Sequence, residues 1–180
     1  MKALIVLSNG FEDVEAICTF DILKRSGIEL TKVSLDSLNV LSAYGNIVNA
    51  DVLLKDIEYN DFDFLIIPGG KAVFEVLNKR KEIDDLIDDF YFKNKLIACI
   101  CAAPLLLGKR GYFEGLEYTC FPGCDELIIS GIKSEEAVVA NDKFITAKSM
   151  YYTIPFALEI VNRVLGHEKM EKVKRNIMGL

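Results

Sequence analysis

The sequence predicts an α/β fold, a doubly wound sandwich with a mostly parallel central sheet, closed into a single domain over residues 1–180. Three observations predict it. The apolar runs Ala3-Leu4-Ile5-Val6-Leu7, Phe64-Leu65-Ile66-Ile67 and Leu96-Ile97-Ala98-Cys99-Ile100 are continuous, not alternating, the pattern of strands covered on both faces. Each run is followed by a turn signal and then by residues at helical spacing, the alternation that builds parallel sheets with right-handed crossovers. No linker, internal repeat or biased segment divides the chain, and 180 residues suit one core.

The elements follow in order. Ala3 to Leu7 runs into Ser8-Asn9-Gly10, and a helix is expected over 12–27 with Gly27 as its stop. A second strand is expected at Leu30 to Leu35. Segment 38–55, with Tyr44-Gly45-Asn46 at its centre, reads as a hairpin and a short strand. Pro68-Gly69-Gly70 ends the strand at Phe64 to Ile67 and leads into a helix over 71–78. Ile83, Leu86, Ile87 and Phe90 place another helix at 82–93. After Leu96 to Ile100, Cys101-Ala102-Ala103-Pro104 opens a helix over 104–110, Pro being suited to a first helical turn. Ala137 to Ala140 and Phe144 to Ala147 flank a turn at Asn141-Asp142, and Ile154 to Leu165 forms an amphipathic closing helix. In such sheets ligands bind beyond the carboxyl ends of the strands, where loops 9–15, 68–71 and 101–104 gather.

Composition removes several function classes. Net charge is −6, and the basic C-terminal stretch from Lys169 to Arg175 is short and broken by Glu171. Nucleic acid needs a concentrated positive face, so no nucleic-acid partner is expected. The apolar runs fall far short of the roughly 20 residues that span a bilayer, so no membrane partner is expected. The first residues carry too short an apolar core for a leader and no cleavage site, so the expectation is a soluble cytoplasmic protein. Five cysteines, at positions 18, 99, 101, 120 and 124, then read as reduced thiols. His167 is the single histidine; it excludes zinc sites built on two or three imidazoles and reads as a solvent-exposed helix-start residue. Cys120-x3-Cys124 lacks a second ligand pair, so no metal is expected.

Cys101 stands where a buried strand turns abruptly toward a helix, the setting of a nucleophile elbow. N–H groups at a helix start stabilise a thiolate and an oxyanion, so its thiol is expected to ionise well below the ordinary value of about 8.5. A buried structural thiol is the equal alternative on the local pattern alone. Cys99, two residues earlier, is expected to be structural and to point the same way as Cys101. Glu15 sits among Phe11, Cys18 and Ile22 on the apolar stripe of the first helix, where a carboxylate is costly and burial raises its pKa. Protonated, it could donate a hydrogen bond to a neighbouring thiolate. Gly69 and Gly70 let backbone approach a ligand closely. No phosphate loop or dinucleotide fingerprint follows any strand.

Together, Gly10-Phe11-Glu12-Asp13-Val14-Glu15-Ala16, Ile67-Pro68-Gly69-Gly70 and Ala98-Cys99-Ile100-Cys101-Ala102-Ala103-Pro104 resemble the ThiJ/PfpI (DJ-1) family, over about residues 2 to 167. The resemblance implies a flavodoxin-like sandwich, usually a homodimer. It implies Cys101 as the reactive cysteine, Glu15 as its protonated partner, and the Gly70 and Ala102 N–H groups as an oxyanion pocket. It further implies cofactor-free glyoxalase or deglycase chemistry on small carbonyls such as methylglyoxal, with a redox-sensing or chaperone-like role as the alternative. Three departures stand out. Ala102 replaces the His that follows the cysteine in PfpI-type proteases, which argues against peptidase activity. Phe121 stands where many relatives of the DJ-1 branch carry a His before the Pro matched by Pro122. Lys148-Ser149-Met150-Tyr151 replaces the family's Arg-Gly-Pro-Gly loop and alters the pocket wall.

Overall fold

The computed structural model describes residues 1–180. Its elements in chain order are β1 (Lys2–Leu7), α1 (Asp13–Ser26), β2 (Glu29–Ser34), β3 (Asn39–Leu41), β4 (Ile47–Asn49), β5 (Val52–Leu53), β6 (Phe64–Ile67), α2 (Ala72–Glu75), α3 (Lys81–Phe92), β7 (Leu96–Ile100), α4 (Pro104–Gly108), β8 (Glu117–Tyr118), β9 (Ile132–Lys133), β10 (Val138–Ala140), β11 (Phe144–Ala147), α5 (Thr153–Leu165) and α6 (His167–Ile177). Seven strands form one sheet in the order β10-β11-β7-β6-β1-β2-β5. Every pairing in it is parallel except β10 with β11, so the doubly wound sandwich read from the sequence is the observed fold.

The continuous apolar runs are explained by the two faces they serve. Leu4, Val6, Leu65, Ile67, Ile97 and Cys99 point into one core with α3 residues Ile83, Leu86, Ile87 and Phe90. Ala3, Ile5, Phe64, Ile66, Ala98 and Ile100 point into the other, covered by Ile22 and Leu23 of α1 and by Phe156, Ala157, Ile160 and Val161 of α5. Alternate residues of one strand therefore feed opposite layers, and no position can be polar. Gly27 ends α1 with φ +88 and its N–H donating to Leu23 O and Lys24 O, a left-handed stop that a residue with a Cβ adopts at a cost.

Three expectations needed revision. The helix expected at 71–78 is only α2, because Val76 leaves helical geometry at φ −124 and a 3₁₀ turn, Leu77–Lys79, follows; that tightening buries Leu77. The helix expected at 104–110 stops at Gly108, and the chain continues through turns past Gly111 at φ +77. The chain also does not close with α5. Met170, Val173 and Ile177 of α6 pack against the α1/α5 core, so the segment that looked like a broken basic stretch is one further amphipathic helix begun by the exposed His167.

Candidate active site

At the carboxyl edge of the sheet, β1, β6 and β7 end side by side, and the loop after each contributes to one cluster. Cys101 follows β7 directly and holds φ +65, one of two non-glycine residues with positive φ. For a residue with a Cβ this conformation is strained by roughly 1–2 kcal/mol. Two backbone hydrogen bonds hold it there: the Cys101 N–H donates to Ala147 O at 2.8 Å, and Cys101 O accepts from the Phe121 N–H at 2.8 Å. The turn also breaks the strand's alternation. Cys99 lies in the α3-side core, whereas Cys101 packs against the α1/α5 side. The expectation that the two thiols point the same way is thereby corrected, because the chain has left strand geometry before Cys101.

Glu15 reaches the same place from α1 and is fully buried. The Gly69 N–H donates to its Oε2 at 2.7 Å, and its carboxyl stands close enough to the Cys101 side chain for each to shift the other's ionisation. Oε1 is buried with no hydrogen-bond partner. A Cβ on Gly69 would lie 2.7 Å from both Cys101 Cβ and Glu15 Oε2, so only glycine permits the approach. At Gly70, with φ +93, a Cβ would lie 2.6 Å from Glu12 N and from Gly10 O. The two glycines therefore meet different walls: Gly69 faces the Cys–Glu pair and Gly70 faces the 9–12 loop.

The electrostatics belong to the pair. Burial, with the nearby charge of Glu12, raises the Glu15 carboxyl to about 7, against the pull of the Gly69 N–H and Cys101. Burial and the charge of an ionised Glu15 push the Cys101 thiol up, while the Gly70 and Ala102 N–H groups pull it down. The expectation of an outright lowered thiol is thus corrected: beside an ionised Glu15, Cys101 keeps its proton. Pulling one proton from the pair gives two tautomers, carboxylate with thiol or carboxyl with thiolate, and titration belongs to both groups together. The Gly70 and Ala102 N–H groups favour the charged sulfur, and the Gly69 N–H favours the charged carboxylate. The Gly70 and Ala102 amides thus lower the cost of the tautomer in which Glu15 holds the proton and Cys101 is the thiolate. The donors are individual amides of a tight turn, since α4 spans only Pro104–Gly108 and is too short for a helix field to carry the effect.

All the residues expected at the site, Cys101, Glu15, Gly69, Gly70 and Ala102, are brought together by the fold. Cys18, Cys120 and Cys124 remain free thiols, with Cys99, Cys120 and Cys124 buried, and burial pushes each of these thiols up. Among the departures, Phe121 is 46% exposed and enters through its backbone N–H. Lys148 Nζ is turned to Glu135 at 3.3 Å. Missed by the sequence were the two clamps on Cys101, Ala147 O and Phe121 N–H, which no local pattern announces because their partners lie 46 and 20 residues away. No helix is long and apolar enough to cross a membrane.

A family model described as the DJ-1/PfpI family matches residues 1–163. The chain is 27% identical to "Protein dj-1beta" of Drosophila melanogaster, over 98% of this chain and 96% of that protein. It is 31% identical to a protein of Pyrococcus abyssi named as a deglycase, over 79% of this chain and 86% of the relative. It spans less than half of "Protein DJ-1 homolog A" of Arabidopsis thaliana, 44%, at 30% identity. Among solved structures, a cysteine-to-alanine mutant of a DJ-1 superfamily protein from Salmonella typhimurium superposes with a TM-score of 0.91 at 27% identity, covering 98% of this chain and 97% of that one. Oxidized DJ-1 of Toxoplasma gondii gives 0.92 at 26% identity, with 98% and 97% covered.

Proposed function

Because the chain belongs to the DJ-1/PfpI family, we propose that it carries out cysteine-dependent, cofactor-free chemistry of glyoxalase or deglycase type on small reactive carbonyls such as methylglyoxal. The observation that carries this reading is the buried Glu15 carboxyl, held by the Gly69 N–H at 2.7 Å beside Cys101. The relatives named as deglycases support it.

The thiolate adds to the aldehyde carbon; a C–S bond forms and the carbonyl π pair moves to oxygen. The Gly70 and Ala102 N–H groups, which favour the thiolate, take up that oxyanion in this reading. Glu15 supplies the proton that completes the hemithioacetal. As a carboxylate it then removes the C–H proton beside sulfur and returns a proton to the neighbouring carbon, which leaves a thioester. Water cleaves the thioester to a 2-hydroxy acid and restores the thiol. One carbon is oxidised and its neighbour reduced, so the balance is aldehyde plus water and no outside electron carrier enters. Ala102 leaves no imidazole beside the nucleophile to protonate an amine, which disfavours peptide cleavage.

The test is consumption of methylglyoxal with formation of lactate. Wild type should turn over, Cys101→Ser should not, and Glu15→Gln, which fills the space but cannot pass the proton, should lose about 10²–10⁴-fold. Turnover retained by Cys101→Ser would overturn the reading.

A homodimer belongs to the same proposal. Val14, Ile17, Leu41 and Ile47 are exposed large hydrophobics, and an apolar cavity of about 400 Å³ between α1 and the β3–β4 hairpin is lined by Ile17, Phe20, Ile47 and Val48. Rimmed apolar patches of this kind mark association surfaces.

A further inference from the structure

The β3–β4 hairpin is stitched to the loop that leads into α1, far beyond what closing a hairpin requires. The Gly10 N–H donates to Leu41 O at 2.8 Å, the Ala43 N–H to Phe11 O at 2.8 Å, and the Leu41 N–H to Asn9 Oδ1 at 2.9 Å. At the end of this seam the Asn46 side-chain amide donates to Asp13 Oδ1 at 2.5 Å, while the Asn46 N–H donates to Ser42 Oγ at 2.9 Å. The other side of the same loop carries the glycine turn of the active site. The Glu12 N–H donates to Gly69 O at 3.2 Å, the Ala72 N–H donates to Gly10 O at 3.1 Å, and Phe11 and Gly70 form a β-bridge. The loop is therefore one layer between the hairpin and the amides that face Cys101.

We propose that the Asp13–Asn46 contact is a positioning latch: through the 9–13 loop it sets where the Gly69 and Gly70 amides stand relative to Glu15 and Cys101. The space available leaves little play. Gly70 is packed so closely on Gly10 and Glu12 that a single added carbon would come within 2.6 Å of either, so displacement of the loop must displace the turn. Asp13 is committed to the role. Against the burial that would raise it, the hydrogen bond from Asn46, with the polar groups of Ser42 and Tyr44 nearby, holds its carboxyl below the ordinary value. The charged group facing it is Glu12, its neighbour on the same loop. Asn46 itself is exposed and touches no reacting atom.

The proposal rests on the reading of Cys101 as the reactive residue, and its test does not need the aldehyde activity. The second-order rate of iodoacetamide labelling at Cys101 is followed against pH by mass spectrometry. Asn46→Ala should slow labelling several-fold and move its pH profile, because the amides that favour the thiolate are displaced. Asn46→Asp, which sets two carboxylates against each other, should do so more strongly. The exchanged pair, Asp13→Asn with Asn46→Asp, restores one donor and one acceptor and should return the rate to within about twofold of wild type. Asn49→Ala, in the same hairpin but outside the seam, should label like wild type. Wild-type labelling rates and profiles in both Asn46 variants, or an exchanged pair that labels as slowly as Asn46→Asp, would overturn the latch. Absence of methylglyoxal turnover in the wild type would count against the proposed reaction and leave this result standing.

Discussion

Glu15 is a fully buried carboxyl, and what it does to the chain's stability has a definite sign. Its proton is held to about 7 in the fold, against an ordinary value of 4.5. Between those values the folded state binds more protons than the unfolded one, so stability is present in full at the acidic end and lost as pH rises through the window. The full shift corresponds to at most about 3 kcal/mol. Urea unfolding at the two ends should show wild type weakening toward neutral pH. Glu15→Gln, which has nothing to ionise, should lose most of that slope. A slope equal to the wild type's would mean that the carboxyl is already charged throughout, and that the thiol keeps the pair's proton.

At the scale of elements, α6 is the clearest case for measurement. Val173 is buried against the α1/α5 core, and removing its two methyl groups should cost about 2 kcal/mol of unfolding free energy. Because α6 lies on the flank away from the 68–71 turn, Val173→Ala should leave Cys101 labelling of the folded protein unchanged; a change would show that this helix bears on the site. That α6 escaped sequence reading while α1, α3 and α5 did not is physically intelligible. Its apolar positions, Met170, Val173 and Ile177, are outnumbered by charged ones over 167–177, so composition masks the spacing. The short helices α2 and α4 failed for another reason. Their continuation is decided by where Leu77 and Gly108 must pack, a tertiary matter that overrides local propensity. Strands β1, β6 and β7 were legible because burial on two faces leaves no room for any other pattern. The same holds in the site. Glu15 was visible as a carboxyl on an apolar stripe and Cys101 as an abrupt end to a strand, whereas the pairing of Asp13 with Asn46, 33 residues on, leaves no local trace.

For the whole molecule, the exposed apolar face of α1 and the hairpin sets the assembly to be expected. Light scattering should give the mass of two chains. Ile17→Glu, at a position 46% exposed in the single chain, should give the mass of one without unfolding it. A monodisperse monomer of the unaltered protein would refute the dimer. Domains of this size are stable by only about 5–15 kcal/mol in total, which gives weight to the φ of +65 at Cys101. At most positions alanine is a better residue than glycine, by roughly 0.5–1 kcal/mol. At position 101 the ranking should invert, since glycine enters this backbone conformation freely and alanine must be forced into it. Cys101→Gly should therefore melt at a higher temperature than Cys101→Ala. The order of these two variants in a calorimeter would thus measure what the fold gives up in durability to hold a side chain at that angle.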